Sequence, residues 1–153
     1  MYKSSFRGQI VARKEFRNCS AKKAFQEIEL LFAMRHPHII GLYAWYRSPG
    51  TVVLVGAVIE FARNGDLQKY YAQDDYRYSK ALKILAGAAK GMAYMHSMPV
   101  PVVHRDLKSS NIMIMADGVS GKIGDVGESR RLDLNSTMTQ TGTPLWAAVR
   151  RLV

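Results

Sequence analysis

Two clusters of residues in this chain have the types and spacing that chemistry needs. Residues 104–111 read His104-Arg105-Asp106-Leu107-Lys108-Ser109-Ser110-Asn111, and fourteen positions beyond that Asn comes Asp125-Val126-Gly127. Asp106 is an acid able to accept a proton, and Lys108 is a compact positive charge two positions on. Asn111 and Asp125 offer hard oxygen donors suited to a divalent cation. An acid, a cation, an amide and a second acid before Gly form the set that phosphoryl transfer uses, because that reaction runs on positioning and metal-borne charge stabilisation. The pattern H-R-D-L-x-x-x-N fixes five residue types within eight positions, too many for chance in 153 residues.

The surrounding elements must hold these groups in place. A strand over Gln9–Phe16 carries Lys14. Ser20 caps a helix from Ala21 to Met34, with Phe25, Ile28 and Leu31 near helical spacing, and Arg35-His36-Pro37 stops it. Ile39 to Tyr46 and Thr51 to Phe61 read as two strands joined by a Ser48-Pro49-Gly50 turn. The second is apolar at nearly every position, so burial on both faces is expected. Arg63-Asn64-Gly65-Asp66 caps a short helix from Leu67 to Ala72. The longest helix runs from Tyr78 to His96, with an apolar stripe of Ala81, Ile84, Leu85, Ala88, Met92 and Met95. Val102-Val103 leads into the His104 loop, Ile112 to Met115 is a short strand, and Asp117-Gly118 turns the chain back into Lys122-Ile123. The stretch from Glu128 to Gly142, rich in Ser and Thr, reads as a loop. This order is α+β: a small β-rich lobe feeding a helical lobe through a linker near Glu60–Gly65, a junction of the kind where ligands bind.

Composition narrows the class. At 48% apolar and 22% charged residues the chain is globular and long enough for one domain with a real core. Cys19 is its one cysteine, which rules out an intrachain disulfide and points to a reducing compartment, so the cytoplasm is expected. His36, His38, His96 and His104 show no zinc-ligand spacing. The longest apolar run, Val52 to Ile59, is far short of a membrane span. The net charge of +10 raises the question of nucleic acid. Basic residues outnumber acidic ones 8 to 3 in residues 1–35, 7 to 4 in 36–100 and 7 to 5 in 101–153, so the excess is spread out and argues against nucleic-acid binding. The acid-free first fourteen residues superficially resemble a transit peptide, but a strand carrying Lys14 connects to the rest of the pattern and explains more.

These motifs together resemble the eukaryotic protein kinase domain over nearly all of residues 2–148. Val11-Ala12-Arg13-Lys14 is similar to the strand motif whose Lys holds the nucleotide phosphates. Counted back from Arg35-His36-Pro37, the fitting helix-borne carboxylate partner is Glu27, with Glu29 as its rival. Glu29 lies about 200° around the helix from it, so both cannot face Lys14. The resemblance implies that Ala12, Ile59, Glu60, Ala62 and Met113 line an ATP site, with Glu60-Phe61-Ala62 as hinge and Ile59 as gatekeeper. It makes Asp106 the catalytic base, Lys108 the γ-phosphate partner, Asn111 and Asp125 the Mg²⁺ ligands, and His104 a packing residue. Ser136, Thr137, Thr139 and Thr141 become phosphorylation sites for an upstream kinase, with Arg105 as phosphate partner. Lys108-Ser109-Ser110-Asn111 and Gly142-Thr143-Pro144-Leu145-Trp146 look most like the tyrosine-kinase-like group of serine/threonine kinases. Protein substrates follow, as does an intracellular place that could belong to a larger receptor-like protein.

The chain departs from the family pattern in three places. Val126 stands where the family has Phe, whose ring packs beside positions matching Leu31, Leu42 and His104, so the active arrangement is expected to be held less firmly. No Gly-rich loop precedes Met1-Tyr2-Lys3, and the match stops at Ala148, before Pro-Glu. The expectation is therefore a partial two-lobed kinase fold: residues 1–60 from the small lobe, 60–65 the hinge, and 66–153 the first part of the helical lobe. The rival reading is an inactive, kinase-like binding or regulatory module.

Overall fold

The computed structural model describes residues 1–17, 19–47, 55–72 and 78–132. Its first layer is a four-stranded antiparallel sheet of β1 (Tyr2–Phe6), β2 (Gln9–Phe16), β3 (Leu42–Arg47) and β4 (Val55–Glu60), in the order β1-β2-β4-β3. The periodicity did not announce β1. What makes it pair is the Arg7-Gly8 turn, where both residues take positive φ (50° and 78°), the geometry of a tight two-residue hairpin. Every residue of β4 except Glu60 is buried, as its continuous apolar run required. Residues 51–54 of the expected second strand lie outside the described residues.

Helix α1 (Ala21–Ala33) packs against this sheet, with the Ser20 hydroxyl accepting from the Lys23 N–H at 3.2 Å as its N-cap. The helix ends one residue earlier than expected, because Met34 is extended (φ −95°, ψ 97°). The strand expected from Ile39 begins only at Leu42. Ile39 and Ile40 instead pair with Ile123, through an Ile40 N–H to Ile123 C=O bond of 2.9 Å and an Ile123 N–H to His38 C=O bond of 2.8 Å. Two strong β formers were claimed by the other lobe, which periodicity alone cannot reveal.

The helical lobe contains α2 (Leu67–Tyr71), α3 (Tyr78–Ser97) and two short strand pairs: β5 (Val102–Val103) with β8 (Arg130–Arg131), and β6 (Ile112–Ile114) with β7 (Gly121–Ile123). β8 corrects the loop reading of that stretch; a two-residue strand carries no pattern, and it forms because β5 offers it partners. The apolar stripe of α3 is also rotated from expectation. Leu85 is exposed, whereas Gly87 and Gly91 are buried beside Ala81, Ile84, Ala88 and Met95. A Cβ at Gly91 would stand 2.4 Å from the His38 carbonyl oxygen, so glycine lets α3 touch the 38–40 turn backbone to backbone. One core runs through both lobes, from Ala12, Leu31 and Ala57 to Ile84, Met95 and Ile123. Val126 is part of it at 1% exposure.

Candidate active site

The period-2 alternation of β2 places Ala12 and Lys14 on one face of the strand. Ala12 is paired with Ile59 of β4 and Lys14 with Ala57. Beneath that face, at the junction of the lobes, lies a cavity of about 410 Å³ lined by Ala12, Ile59, Glu60, Ala62 and Met113 among others. Its far side is closed by Asn111 and Asp125. All five residues expected to surround a purine therefore line one cavity, together with the oxygen donors of Asn111 and Asp125. Phe61 of the expected hinge lines it too, and so do Lys3, Asp66 and Lys69, which were not anticipated from the sequence. Asp66 could have been found, since its side chain caps α2 by accepting from the Lys69 N–H at 3.0 Å.

Lys14 links two elements far apart in sequence. Its Nζ lies 2.5 Å from Glu27 Oε1 and 2.7 Å from Asp125 Oδ1. Glu27 is buried and Glu29 is exposed, which decides the choice between them. Desolvation works to lower the Lys14 pKa, but the two carboxylates outweigh it and hold the ammonium above its ordinary value. Burial pushes the Glu27 carboxyl above its ordinary value, and Lys14 offsets only part of that. Asp125 is partly desolvated too, yet Lys14 holds its carboxyl below the usual range. Asp125 also sits at φ 51°, a left-handed conformation that costs a non-glycine residue energy and clusters at functional sites.

The catalytic-loop residues are gathered by a second network. Asn111 Nδ2 donates to the Asp106 backbone oxygen at 2.8 Å and to Asp106 Oδ2 at 3.1 Å. With its amide nitrogen so engaged, the side-chain oxygen is the atom of Asn111 suited to a cation. Lys108 Nζ lies 2.9 Å from Asp106 Oδ2. Asn111 and Asp125 are tied through the backbone, since the Gly124 N–H donates to the Asn111 carbonyl at 2.9 Å. His104 is 1% exposed and packs between the two loops. Its Nε2 is 3.1 Å from the Gly124 oxygen, and its Nδ1 accepts from the Asp106 N–H at 3.3 Å, which selects the neutral tautomer protonated on Nε2. Burial lowers its pKa. Arg105, at φ 64°, donates through Nε to the Glu128 carbonyl at 2.8 Å.

At the end of β4, the Glu60 side chain receives Lys122 Nζ at 2.7 Å on both oxygens. Its backbone N–H donates to the Gly41 carbonyl at 2.9 Å. Ser136, Thr137, Thr139 and Thr141 lie outside the described residues. Among the described residues no group of three or more His, Cys, Asp or Glu could hold a metal ion, and no helix is long and apolar enough to cross a membrane. The Asp125 carboxylate and the Asn111 side-chain oxygen fit a magnesium ion, which commonly keeps waters and substrate phosphates as its remaining ligands.

Comparison with known proteins accords with this geometry. The family model described as "Protein kinase domain" matches residues 2–152. The chain belongs to the protein kinase family. Mitogen-activated protein kinase kinase kinase 10 of Mus musculus is 35% identical to this kinase chain over 164 residues, 97% of the chain and 17% of that relative. Mitogen-activated protein kinase kinase kinase 7 of Bos taurus is 33% identical over 153 residues, 95% of the chain and 25% of the relative. A protein of Acanthamoeba polyphaga mimivirus named as a serine/threonine-protein kinase/receptor is 37% identical over 123 residues, covering 80% of the chain. That match takes in 7% of the viral protein, so this kinase chain spans a quarter or less of these three relatives. These relatives are consistent with the tyrosine-kinase-like, serine/threonine-type placement drawn from Lys108-Ser109-Ser110-Asn111 and the Gly142–Trp146 ending.

Proposed function

We propose that this kinase domain transfers the γ-phosphoryl group of ATP, with Mg²⁺, to Ser or Thr hydroxyls of protein substrates. The observation that carries the reading is the Lys14 ammonium lying within 2.7 Å of both the Glu27 and the Asp125 carboxylates, with Asp125 and Asn111 lining the neighbouring cavity. Glu27 orients Lys14 toward the nucleotide phosphates. Asp125 and Asn111 would hold Mg²⁺, which would supply neutralisation of the phosphate charge. Asp106 accepts the hydroxyl proton as the new ester forms, and its carboxylate is aimed by Asn111 Nδ2. Lys108, beside Asp106, offsets the negative charge of the transferred group. Ala12, Ile59 and Met113 sandwich the purine, and the backbone of Glu60 to Ala62 meets its edge. Residues 1–60 act as the small lobe, 60–65 as the hinge and 66–153 as the first part of the larger lobe.

Ser136, Thr137, Thr139 and Thr141 follow Asp125 at the distance of an activation segment, and an upstream kinase is the expected modifier. ATP and a single free cysteine both suit an intracellular setting, within a larger protein. Thermal stabilisation by ATP with Mg²⁺, followed by phosphate transfer to a generic basic protein, tests the proposal. Stabilisation and turnover, both lost in Asp125→Asn, are expected. Absence of any nucleotide response in the unaltered chain overturns it.

A further inference from the structure

The first turn of α1 has the wrong sign of charge. It contains Lys22 and Lys23 and no acid, although the positive end of a helix dipole favours carboxylates there. The missing acid comes from outside the helix: Glu128 Oε1 lies 2.6 Å from Lys23 Nζ. Glu128 is also held from the other side, since its carbonyl accepts from Arg105 Nε at 2.8 Å. One residue before it, Gly127 has no side chain to hold off α1; a Cβ there would stand 3.0 Å from Glu27 Oε2. Glu128 thus joins three parts of the site: α1 through its side chain, the catalytic loop through its backbone, and the Asp125 loop through the chain itself.

The position of Lys23 gives this contact a consequence. Lys23 and Glu27 are four residues apart, about 40° around the helix, so they share one face. A contact that fixes Lys23 also fixes the rotation of α1 that aims Glu27 at Lys14. Lys14 and Glu27 tie the helix to the sheet, and Lys23 with Glu128 ties the same face to the loop that carries Asp125. With Val126 in place of a large aromatic ring, that second tie is a polar anchor in a place where packing offers a smaller group.

We infer that Lys23 and Glu128 form a positioning pair for phosphoryl transfer, holding α1 in the setting in which Glu27 meets Lys14. Neither residue touches substrate. The inference rests on the proposed kinase activity for its kinetic consequence, while its structural consequence can be read without turnover. The two side chains are 45% and 32% exposed, so the tie is screened by salt and has the modest strength of a surface pair.

Three variants of the full chain test it: Glu128→Gln, Lys23→Gln, and the exchanged pair Lys23→Glu with Glu128→Lys. Amide hydrogen exchange over residues 21–33 reports the setting of α1, and kcat and KM for ATP report its effect. Each single variant is expected to speed exchange in α1 and lower kcat by about two- to five-fold, the range an exposed ion pair supports. KM for ATP and the melting temperature should stay close to those of the unaltered chain. The exchanged pair should recover most of both losses, and 0.5 M NaCl (roughly a 4 Å screening length) should shrink the difference between unaltered and single-variant chains. Unchanged α1 exchange in both single variants overturns the inference. So does failure of the exchanged pair to recover either readout, which would assign the effect to other contacts of Glu128. A chain with no turnover at all would count against the proposed activity, and the exchange measurement would still decide the pair.

Discussion

Acidification should weaken this protein through His104. The ring is buried, donates from Nε2 to the Gly124 carbonyl and accepts at Nδ1 from the Asp106 N–H, so a second proton on Nδ1 would face another donor. Desolvation lowers its pKa below the ordinary 6.5, with the Gly124 bond and the charges of Asp125 and Asp106 offsetting part of that and Lys108 adding to it. An unfolded chain therefore binds a proton that the folded chain resists, and stability rises with pH up to about 6.5 and is lost below it. A histidine that stayed neutral throughout would cost up to about 1.4 kcal/mol between pH 7.5 and 5.5. Urea unfolding at both values, in the unaltered chain and in His104→Gln, isolates this contribution because the carboxylates are common to both. The variant should lose about 1 kcal/mol less on acidification than the unaltered chain. Equal losses would refute the reasoning.

Other perturbations have equally definite outcomes. Glu27→Gln leaves Lys14 paired with Asp125 alone, and kcat/KM should fall about 10- to 100-fold, or roughly 1.4–2.7 kcal/mol of transition-state stabilisation, in steady-state transfer assays. Gly91→Ala drives a Cβ against the His38 carbonyl at 2.4 Å, a backbone atom that cannot swing aside, and should cost about 1–3 kcal/mol in urea unfolding. Lys122→Met removes the bidentate partner of Glu60, whose side chain is 21% exposed, and should lower stability by about 1–2 kcal/mol.

The sequence made the chemistry readable because the chemical groups are local. His104 to Asn111 and Asp125 each lie in one short run, and the structure brings them to one cleft. Helical geometry allowed only one of Glu27 and Glu29 to face Lys14, the count back from Arg35-His36-Pro37 favoured Glu27, and the folded chain pairs Glu27 with Lys14. Ala12, Ile59, Ala62 and Met113 were reached through the family resemblance alone, and the fold gathers them around one cavity. What could not be read was set by long-range pairing. Ile39 and Ile40 have strand propensity, but their partner is Ile123, some eighty residues on. Leu85 has the right spacing for the buried stripe, yet the close approach allowed by Gly87 and Gly91 turns α3 and leaves Leu85 outside. Lys23 and Glu128 look like ordinary surface charges in the sequence, because only the folded chain shows that they meet.

The Lys14 ammonium spans Glu27 and Asp125 at once, and this makes it a resident counter-ion for the acid that would otherwise wait for metal. Divalent cation arriving alone meets a carboxylate already neutralised, and must compete with a tethered charge that is never diluted. A triphosphate changes that balance, because it gives Lys14 another anion to hold and frees Asp125 for the cation it brings. On the proposed function, the arrangement favours loading of nucleotide and metal as a unit over binding of free magnesium alone.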